Sequence, residues 1–316
     1  MSGLVLAALL VSVSPMPAAP TRIIIREVRS IAGKRGALVW PGFDRAPIEV
    51  DVISRRREHL FCRRHAPGFA HPRRDPVTGC VVIERARVRP LDLAASYEIE
   101  PGLQVIAIGT PAALQMDRSA WKLTLLHESF HQYQSRLPGY AAAVASVRTA
   151  IGAHTADWPL TYTFPYADPG VQQAFGGMTA AASSFLRADS PAAAGDAIRR
   201  YVAARHAART AVGEVAWRYY EFQVGQEGVA RWTEILFAEA AGRSDPALAA
   251  LARDRRAGLA NSLRAIDEQG LAMWKRSALY VMGAIEAEML EGRRPGWRAV
   301  YIRAPFGLGE QLELLR

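Results

Sequence analysis

The segment His127-Glu128-Ser129-Phe130-His131 constrains this chain more than any other stretch of its sequence. Successive residues of an α-helix are rotated by about 100°, so His127 and His131 would lie one above the other on a single helix face. Both imidazoles could then bind one metal ion. Glu128 would lie beside that ion, placed to take a proton from a metal-bound water and not to bind the metal itself. The motif therefore requires a helix at this point and predicts a metal-dependent hydrolase.

The residues that flank the motif support such a helix. Asp117 is a suitable N-cap, because its carboxylate can accept hydrogen bonds from the first backbone N–H groups. A helix is predicted from Arg118 to Arg136, and Leu137-Pro138-Gly139 ends it. The motif thus falls in the middle of the helix, where its two histidines can act together.

A catalytic zinc ion usually has three protein ligands and a water molecule in the fourth position. One common extension of the motif supplies a third histidine, but Gln134 and Leu137 occupy the required Gly and His positions and exclude it. A glutamate on a later helix is the other common solution. Glu227 is the best candidate in this chain. The alternatives for the third ligand are Glu221, Glu234 and Asp157.

Glu227 begins the sequence Glu227-Gly228-Val229-Ala230-Arg231-Trp232. In these two motifs the chain resembles the gluzincin metallopeptidases, in which a second helix of the form Glu-Gly-x-Ala-x-aromatic joins the His-Glu-x-x-His helix. The resemblance implies a divergent member with a long spacer and a zincin-like α+β fold. It also implies that Zn²⁺ is held by His127, His131 and Glu227, with Glu128 as the catalytic base. Gly228 is interpreted as the residue that lets the two motif helices approach closely.

Tyr280 is the candidate for the donor that stabilises the oxyanion, since several families of this type place a tyrosine on a helix after the third ligand. Packing of Tyr280 in the core is an equally good interpretation. Further candidates for the donor are Tyr133, Tyr219, Tyr220 and His206.

The composition is that of a globular protein, with 50% hydrophobic and 22% charged residues among 316. The net charge of +9 arises mostly from arginine, because only three of the 39 basic residues are lysine. A bias of this kind can reflect genome composition, so it is weak evidence for nucleic-acid binding. We expect a peptide or protein substrate and no nucleic-acid partner.

Residues 1–20 are typical of an export signal. An apolar run from Leu4 to Val13 is too short to span a bilayer, and small residues near Ala18 would suit cleavage. The absence of Lys and Arg before the run leaves a buried N-terminal strand or helix as the alternative. The expected location is secreted or periplasmic, without membrane insertion after the signal is removed.

Cys62 and Cys80 are the only cysteines of the chain, and in an exported protein they would most simply form one disulfide. The alternative is a second metal site that includes His59, His65 and His71. Its spacing matches no usual zinc pattern, and the neighbouring arginines would repel a cation.

The fold class expected is α+β. Residues 21–110 are predicted to form a small, mostly antiparallel β-rich lobe, and residues 111–316 a helical catalytic region. The strand at Leu103–Ile108 is expected at an edge of the sheet, where it could pair with a substrate. The Arg-rich segment 55–74 is interpreted as a solvated loop. The predicted strands are Arg22–Val28, Gly36–Trp40, Ile48–Ile53, Cys80–Val88 and Leu103–Ile108, and the later predicted helices are 171–187, 196–211, 213–241, 246–268 and 271–291.

The function predicted from the sequence is that of an exported zinc metallopeptidase, in which Glu128 activates a zinc-bound water. One alternative is a zinc hydrolase of a non-peptide amide or ester, since the same chemistry serves both. The other is a non-catalytic exported protein that keeps the metal for structure. A structural zinc does not need a base, so the presence of Glu128 argues against this last alternative.

Overall fold

The computed structural model describes residues 15–315. In this part of the chain, a six-stranded mixed sheet lies in the N-terminal third and most of the remainder is helical, so the expected α+β class is confirmed. The first 14 residues of the predicted export signal lie outside the described residues. The signal therefore stays a prediction.

The N-terminal segment before the sheet is a helix, α1 (Ala19–Val39), so the strands predicted at Arg22–Val28 and Gly36–Trp40 are wrong. The isoleucines of this segment favour a strand locally, but its buried residues recur at helical spacing and lie on one face of α1. Pro20 in the first turn also suits a helix start. The buried positions are Thr21, Ile24, Ile25, Val28, Ala32, Gly36 and Val39.

The sheet has the order β3-β4-β2-β1-β6-β5. Only β1 and β6 pair in parallel, and the other neighbours are antiparallel, which confirms a mostly antiparallel sheet. The strands are β1 (Val50–Ile53), β2 (Arg57–Phe61), β3 (Ala70–Arg74), β4 (Val81–Ala86), β5 (Ala94–Glu100) and β6 (Leu103–Gly109).

Two predictions about this sheet are wrong. The strand at Leu103–Ile108 corresponds to β6, which lies between β1 and β5 and is not at an edge. The edge strand on this side is β5, which returns into β6 through a turn at Gly102, where the backbone has φ = 75°. The Arg-rich segment is also not a simple loop, because it contributes β2 and β3. Two of its arginines face Glu84 of the adjacent strand β4, Arg73 at 3.0 Å and Arg57 at 4.0 Å.

Cys62 and Cys80 form the predicted disulfide. It joins the end of β2 to the start of β4, next to the backbone hydrogen bond from Cys62 to Val81. Because both sulfurs are used, the alternative metal site with His59, His65 and His71 is wrong. The His59 imidazole instead lies 3.4 Å from the carboxylate of Glu84.

The helices predicted at 171–187, 196–211 and 246–268 are present, whereas the segment predicted at 213–241 contains a π turn and the segment predicted at 271–291 is interrupted at Lys275. The sequence did not predict the helices at Tyr140–Ala150, Trp158–Thr161, Trp297–Arg303 and Leu308–Glu313. Within residues 15–315, no helix combines the length and the apolarity needed to cross a bilayer. The helices are α2 (Arg118–Gln134), α3 (Tyr140–Ala150), α4 (Trp158–Thr161), α5 (Pro169–Leu186), α6 (Pro191–Val212), α7 (Glu214–Gln223), α8 (Val229–Gly242), α9 (Pro246–Gln269), α10 (Leu271–Trp274), α11 (Arg276–Leu290), α12 (Trp297–Arg303) and α13 (Leu308–Glu313).

The sheet and the helices contribute to one buried core. Val50 of β1 and Ile106 of β6 belong to the same hydrophobic cluster as Trp121 and Phe130 of α2. The predicted boundary at residue 110 falls between β6 and α2. The helix that carries the motif is therefore packed directly on the sheet.

We expect the disulfide to stabilise the protein. A cross-link between residues 18 positions apart restricts the unfolded chain, and replacing Cys62 and Cys80 together by Ala should lower the free energy of unfolding by roughly 3 kcal/mol. Urea unfolding at equilibrium measures this change. The wild type kept in reductant is the control and should match the double variant; equal stability of the oxidised wild type and the variant would contradict the prediction.

Candidate metal centre

The motif lies on α2, which begins as predicted. Asp117 caps the helix, and its side chain accepts a hydrogen bond of 2.8 Å from the backbone N–H of Ala120. Trp121, Leu125 and Phe130 are fully buried and fix the inner face of α2 in the core. His127 and His131 thus project from a helix whose position is set by packing on both sides of the motif.

Three side-chain atoms converge beside α2. The Nε2 atoms of His127 and His131 are 3.1 Å apart, and Oε2 of Glu227 lies 3.8 Å from the first and 3.3 Å from the second. Ligands at about 2.1 Å from a tetrahedral zinc ion are separated by about 3.4 Å. The donor set and its spacing therefore fit a zinc ion. Among the described residues, these three form the group of metal-ligating side chains that could hold an ion.

Glu227 reaches this position from a π-helical turn. The turn comprises Val224–Gly228 and links α7 to α8 in one continuous helical segment. A π turn widens the helix locally and changes the direction of the side chains that follow, and such turns are frequent at functional sites. The spacing of the sequence gives no sign of it.

The close helix contact predicted at Gly228 exists, but its partner is α11 and not the motif helix α2. A Cβ atom on Gly228 would lie 2.4 Å from the Cα atom of Gly283, and a Cβ atom on Gly283 would lie 2.5 Å from the carbonyl oxygen of Val224. Neither glycine can be replaced without moving the backbone of its neighbour. This contact holds the π turn, and with it Glu227, against α11.

Glu234 holds the imidazole of His127. Its Oε2 atom lies 2.9 Å from Nδ1 of His127, and its Oε1 atom accepts a hydrogen bond of 2.6 Å from Arg231. An ionised carboxylate can only accept, so the proton of the neutral imidazole is on Nδ1 and the lone pair of Nε2 faces the other two ligand atoms. Glu234 was an alternative for the third ligand. In the structure it instead orients the imidazole of the ligand His127.

The other two alternatives for the third ligand lie elsewhere. Glu221 binds Arg205 at 2.9 Å and Trp217 at 3.0 Å. Asp157 is exposed at the start of α4. The structure therefore brings Glu227, and neither of these two carboxylates, to the histidines.

Gln134 fixes the imidazole of His131. Its amide Nε2 is directed at the carbonyl oxygens of Gly225 and Gln226, at 3.2 and 3.0 Å, which leaves Oε1 to face Nδ1 of His131 at 2.7 Å. Nδ1, which also lies 3.0 Å from the amide nitrogen of Gln226, is thus occupied by protein contacts, and Nε2 of His131 points to the ligand cluster. Sequence reasoning noted Gln134 only as a residue that excludes another motif. The feature of the sequence that could have indicated this role of Gln134 is its position three residues after His131, on the same helix face.

The charges of the ligand cluster are strongly coupled. Burial alone would lower the pKa of His127, but the neighbouring carboxylates of Glu227 and Glu234 raise it to about 10. Burial alone would raise the pKa of Glu227, but the charge on His131 and the contacts with both histidines hold it well below its usual value. Glu227 is consequently a carboxylate over the whole neutral range, which suits a cation ligand.

Glu128 is buried next to the ligands, with 7% of its surface exposed. Its Oε2 atom has no hydrogen-bond partner among the described residues, although a buried carboxylate oxygen normally has one. The backbone carbonyl of Glu128 accepts a 3.0 Å hydrogen bond from the Ser96 hydroxyl of β5. The edge strand of the sheet is thus attached directly to the motif.

Tyr280 lies beside the cluster and is partly exposed. Burial, and then the negative charge of Glu227, raise the pKa of its phenol, which therefore stays protonated and able to donate. The other candidates for the oxyanion donor contact different partners: Tyr133 binds Pro41, Tyr219 binds Pro159, Tyr220 binds Glu286 and His206 lies against Glu313. The placement of Tyr280 fits the predicted role, which stays a prediction.

Comparisons with protein-family models, with curated proteins and with solved structures gave no match for this chain. Its function is therefore inferred from the geometry of the site and from the sequence resemblance.

Replacing Gly228 by Ala should disrupt the centre. The new Cβ would overlap the backbone of Gly283, so we expect a loss of roughly 3 kcal/mol of stability and weaker zinc binding. Gly258 in α9 is the matched control, because a Cβ there meets no atom within 4 Å. Gly258→Ala should be neutral or slightly stabilising. Thermal unfolding and zinc titration of both variants test this, and equal behaviour of the two would contradict the close contact.

Replacing Glu234 by Gln should weaken zinc binding about 10- to 100-fold, because the neutral amide supports the His127 imidazole less well than a carboxylate. Glu239→Gln is the control, since Glu239 is on the same helix but pairs with Arg256 near the surface. Competition with a chromophoric chelator gives both affinities. Unchanged affinity in Glu234→Gln would show that this carboxylate does not support the ligand.

Proposed function

We propose that this chain is a zinc-dependent peptidase. The observation that carries the proposal is the convergence of His127, His131 and Glu227 at separations suited to one tetrahedral ion, with Glu128 adjacent. Three protein ligands leave a coordination position open, as in catalytic zinc sites, whereas structural sites use four. The unpartnered Oε2 atom of Glu128 adds a base, which a structural site does not need.

A zinc ion bound here would polarise the carbonyl group of the substrate and lower the pKa of water toward 7. Glu128 accepts the proton of the attacking water and passes it to the leaving amine. Tyr280 donates a hydrogen bond to the oxyanion that develops on the carbonyl. Glu234 and Gln134 hold the two imidazoles in the orientation that this arrangement requires.

The neighbouring sheet edge favours a peptide as substrate. β5 pairs with β6 on one side, and on its other side no strand of the described chain pairs with it. Ser96 of β5 is bonded to the carbonyl of Glu128, so this edge lies beside the proposed base. An extended peptide can add to such an edge through main-chain hydrogen bonds. β5 thus takes the role that the sequence assigned to the Leu103–Ile108 strand.

The proposed location is secreted or periplasmic. The disulfide between Cys62 and Cys80 supports an oxidising compartment, and residues 1–20 have the composition of an export signal. The proposed partner is a peptide or protein substrate and not nucleic acid.

Glu128→Gln should keep zinc and lose turnover. The amide preserves the shape of the side chain but cannot accept a proton, so kcat should fall at least about 100-fold. The measurements are the zinc content by mass spectrometry and the hydrolysis of a peptide library, with chelator-treated wild type as the control. Hydrolysis at the wild-type rate by a zinc-loaded Glu128→Gln variant would overturn the mechanism.

A further inference from the structure

Arg276 lies next to the ligand cluster on the side opposite the imidazoles. Its Nη1 atom is 3.7 Å from Oε1 of Glu227, while Oε2 of the same carboxylate faces His131. With a zinc–oxygen bond of about 2.1 Å and about 2.2 Å between carboxylate oxygens, the guanidinium lies within about 8 Å of an ion held by the cluster. The Arg276 side chain keeps 31% of its surface exposed, so a ligand can reach it.

The hydrogen-bond donors of Arg276 are largely unused. A guanidinium has five N–H donors, yet within residues 15–315 the ion pair of Arg276 is a 3.7 Å contact with Glu227, longer than a hydrogen bond. The guanidinium also stacks 5.2 Å from the ring centre of Tyr280. Burial raises the pKa of the Tyr166 and Tyr219 phenols, and the positive charge of Arg276 opposes that rise. Two other arginines lie nearby, but both contact Glu234 on the far side of His127: Arg231 at 2.6 Å and Arg255 at 3.8 Å. Arg276 is therefore the arginine of this group that faces the ligand Glu227 itself.

The backbone fixes the position of Arg276. It is the first residue of α11, and the preceding Lys275 has φ = 47° and ψ = −132°, a conformation that non-glycine residues rarely adopt. The tight turn at Lys275 separates α10 from α11 and starts α11 beside Glu227. One helical turn later, the aromatic ring of Tyr280 stacks against the guanidinium of Arg276. A charged group held in this way is preorganised to bind an anion.

We propose that Arg276 binds a carboxylate of the substrate, and that the preferred substrates are peptides with a carboxylate one residue beyond the bond that is cleaved. One residue of an extended peptide spans about 3.5 Å, so such a carboxylate reaches a guanidinium within about 8 Å of the metal position. Arginine and a carboxylate form a planar, two-point ion pair. The carboxylate can be the C-terminus of a peptide or the side chain of Asp or Glu. This inference rests on the proposed peptidase function.

The test uses three peptides of one sequence. The first ends in a free carboxylate one residue after the cleaved bond, the second ends there in an amide, and the third has Glu at that residue and an amide end. Product analysis by chromatography gives kcat/KM for each. For the wild type we expect at least a tenfold preference for one or both peptides with a carboxylate, and the preferred peptide identifies the source.

Arg276→Gln should abolish this preference, so that within this variant kcat/KM for the carboxylate peptides falls to that for the amide peptide. Arg276→Lys should keep part of it, since the charge remains but the two-point geometry is lost. Arg253→Gln is the control with the same change of charge at an exposed position of α9, and it should keep the full preference.

Binding gives a readout that does not require turnover. In zinc-loaded Glu128→Gln protein, calorimetry should show tighter binding of the carboxylate peptide than of the amide, and adding Arg276→Gln should equalise the two. Equal kcat/KM for acid and amide peptides in the wild type would overturn the role of Arg276 while leaving the peptidase intact. A parallel loss for all peptides in Arg276→Gln would show a structural role instead. If zinc-loaded wild type cleaves none of the peptides, the proposed function itself fails.

Discussion

The close contact of Gly228 with Gly283 is the constraint on which the rest of the centre depends. With backbone atoms this near, the π turn and α11 cannot slide past one another without overlap, so the position of Glu227 is fixed relative to α11. Arg276 and Tyr280 precede Gly283 on α11. The same contact therefore also fixes these two residues in positions that face the ligand cluster. Residues far apart in sequence thereby become one site. Neither glycine takes part in the proposed reaction, but the position of Glu227 depends on the absence of a side chain at both.

A second constraint is the need to satisfy buried polar groups around the histidines. Each imidazole has one nitrogen for a metal, and the other must have a partner in the protein. Glu234 provides it for His127, and Gln134 provides it for His131. Gln134 in turn spans from α2 to the π turn and to the Tyr301 hydroxyl of α12. The orientation of the ligands is therefore tied to the packing of three separate parts of the helical region.

The sequence predicted the features that depend on local pattern. The α2 helix with its Asp117 cap follows from spacing and residue type, and the disulfide from the presence of just two cysteines. Glu227, which lies beside the two histidines, was the best of four candidate carboxylates and the one that the resemblance implies. The features it missed depend on distant contacts. The helix α1 is decided by its buried face and not by the strand propensity of its isoleucines. Glu58 of β2 pairs with Arg85 of the neighbouring strand β4 and with Arg89, which follows β4. The π turn and the partner of Gly228 are visible only once α11 is packed against them.

The role of each arginine depends on what it contacts and does not follow from the arginine content of the chain. A net charge of +9 carried by arginines says little about a function, because it is spread over the whole chain. Near the ligand cluster the arginines differ by what they contact: Arg231 and Arg255 offset the charge of Glu234, which has to be negative to hold His127. Arg276 faces a carboxylate that an ion would neutralise. Among residues 15–315 its positive charge then lacks an equal partner, and in a site that binds a metal this imbalance favours an anionic group on the molecule that enters.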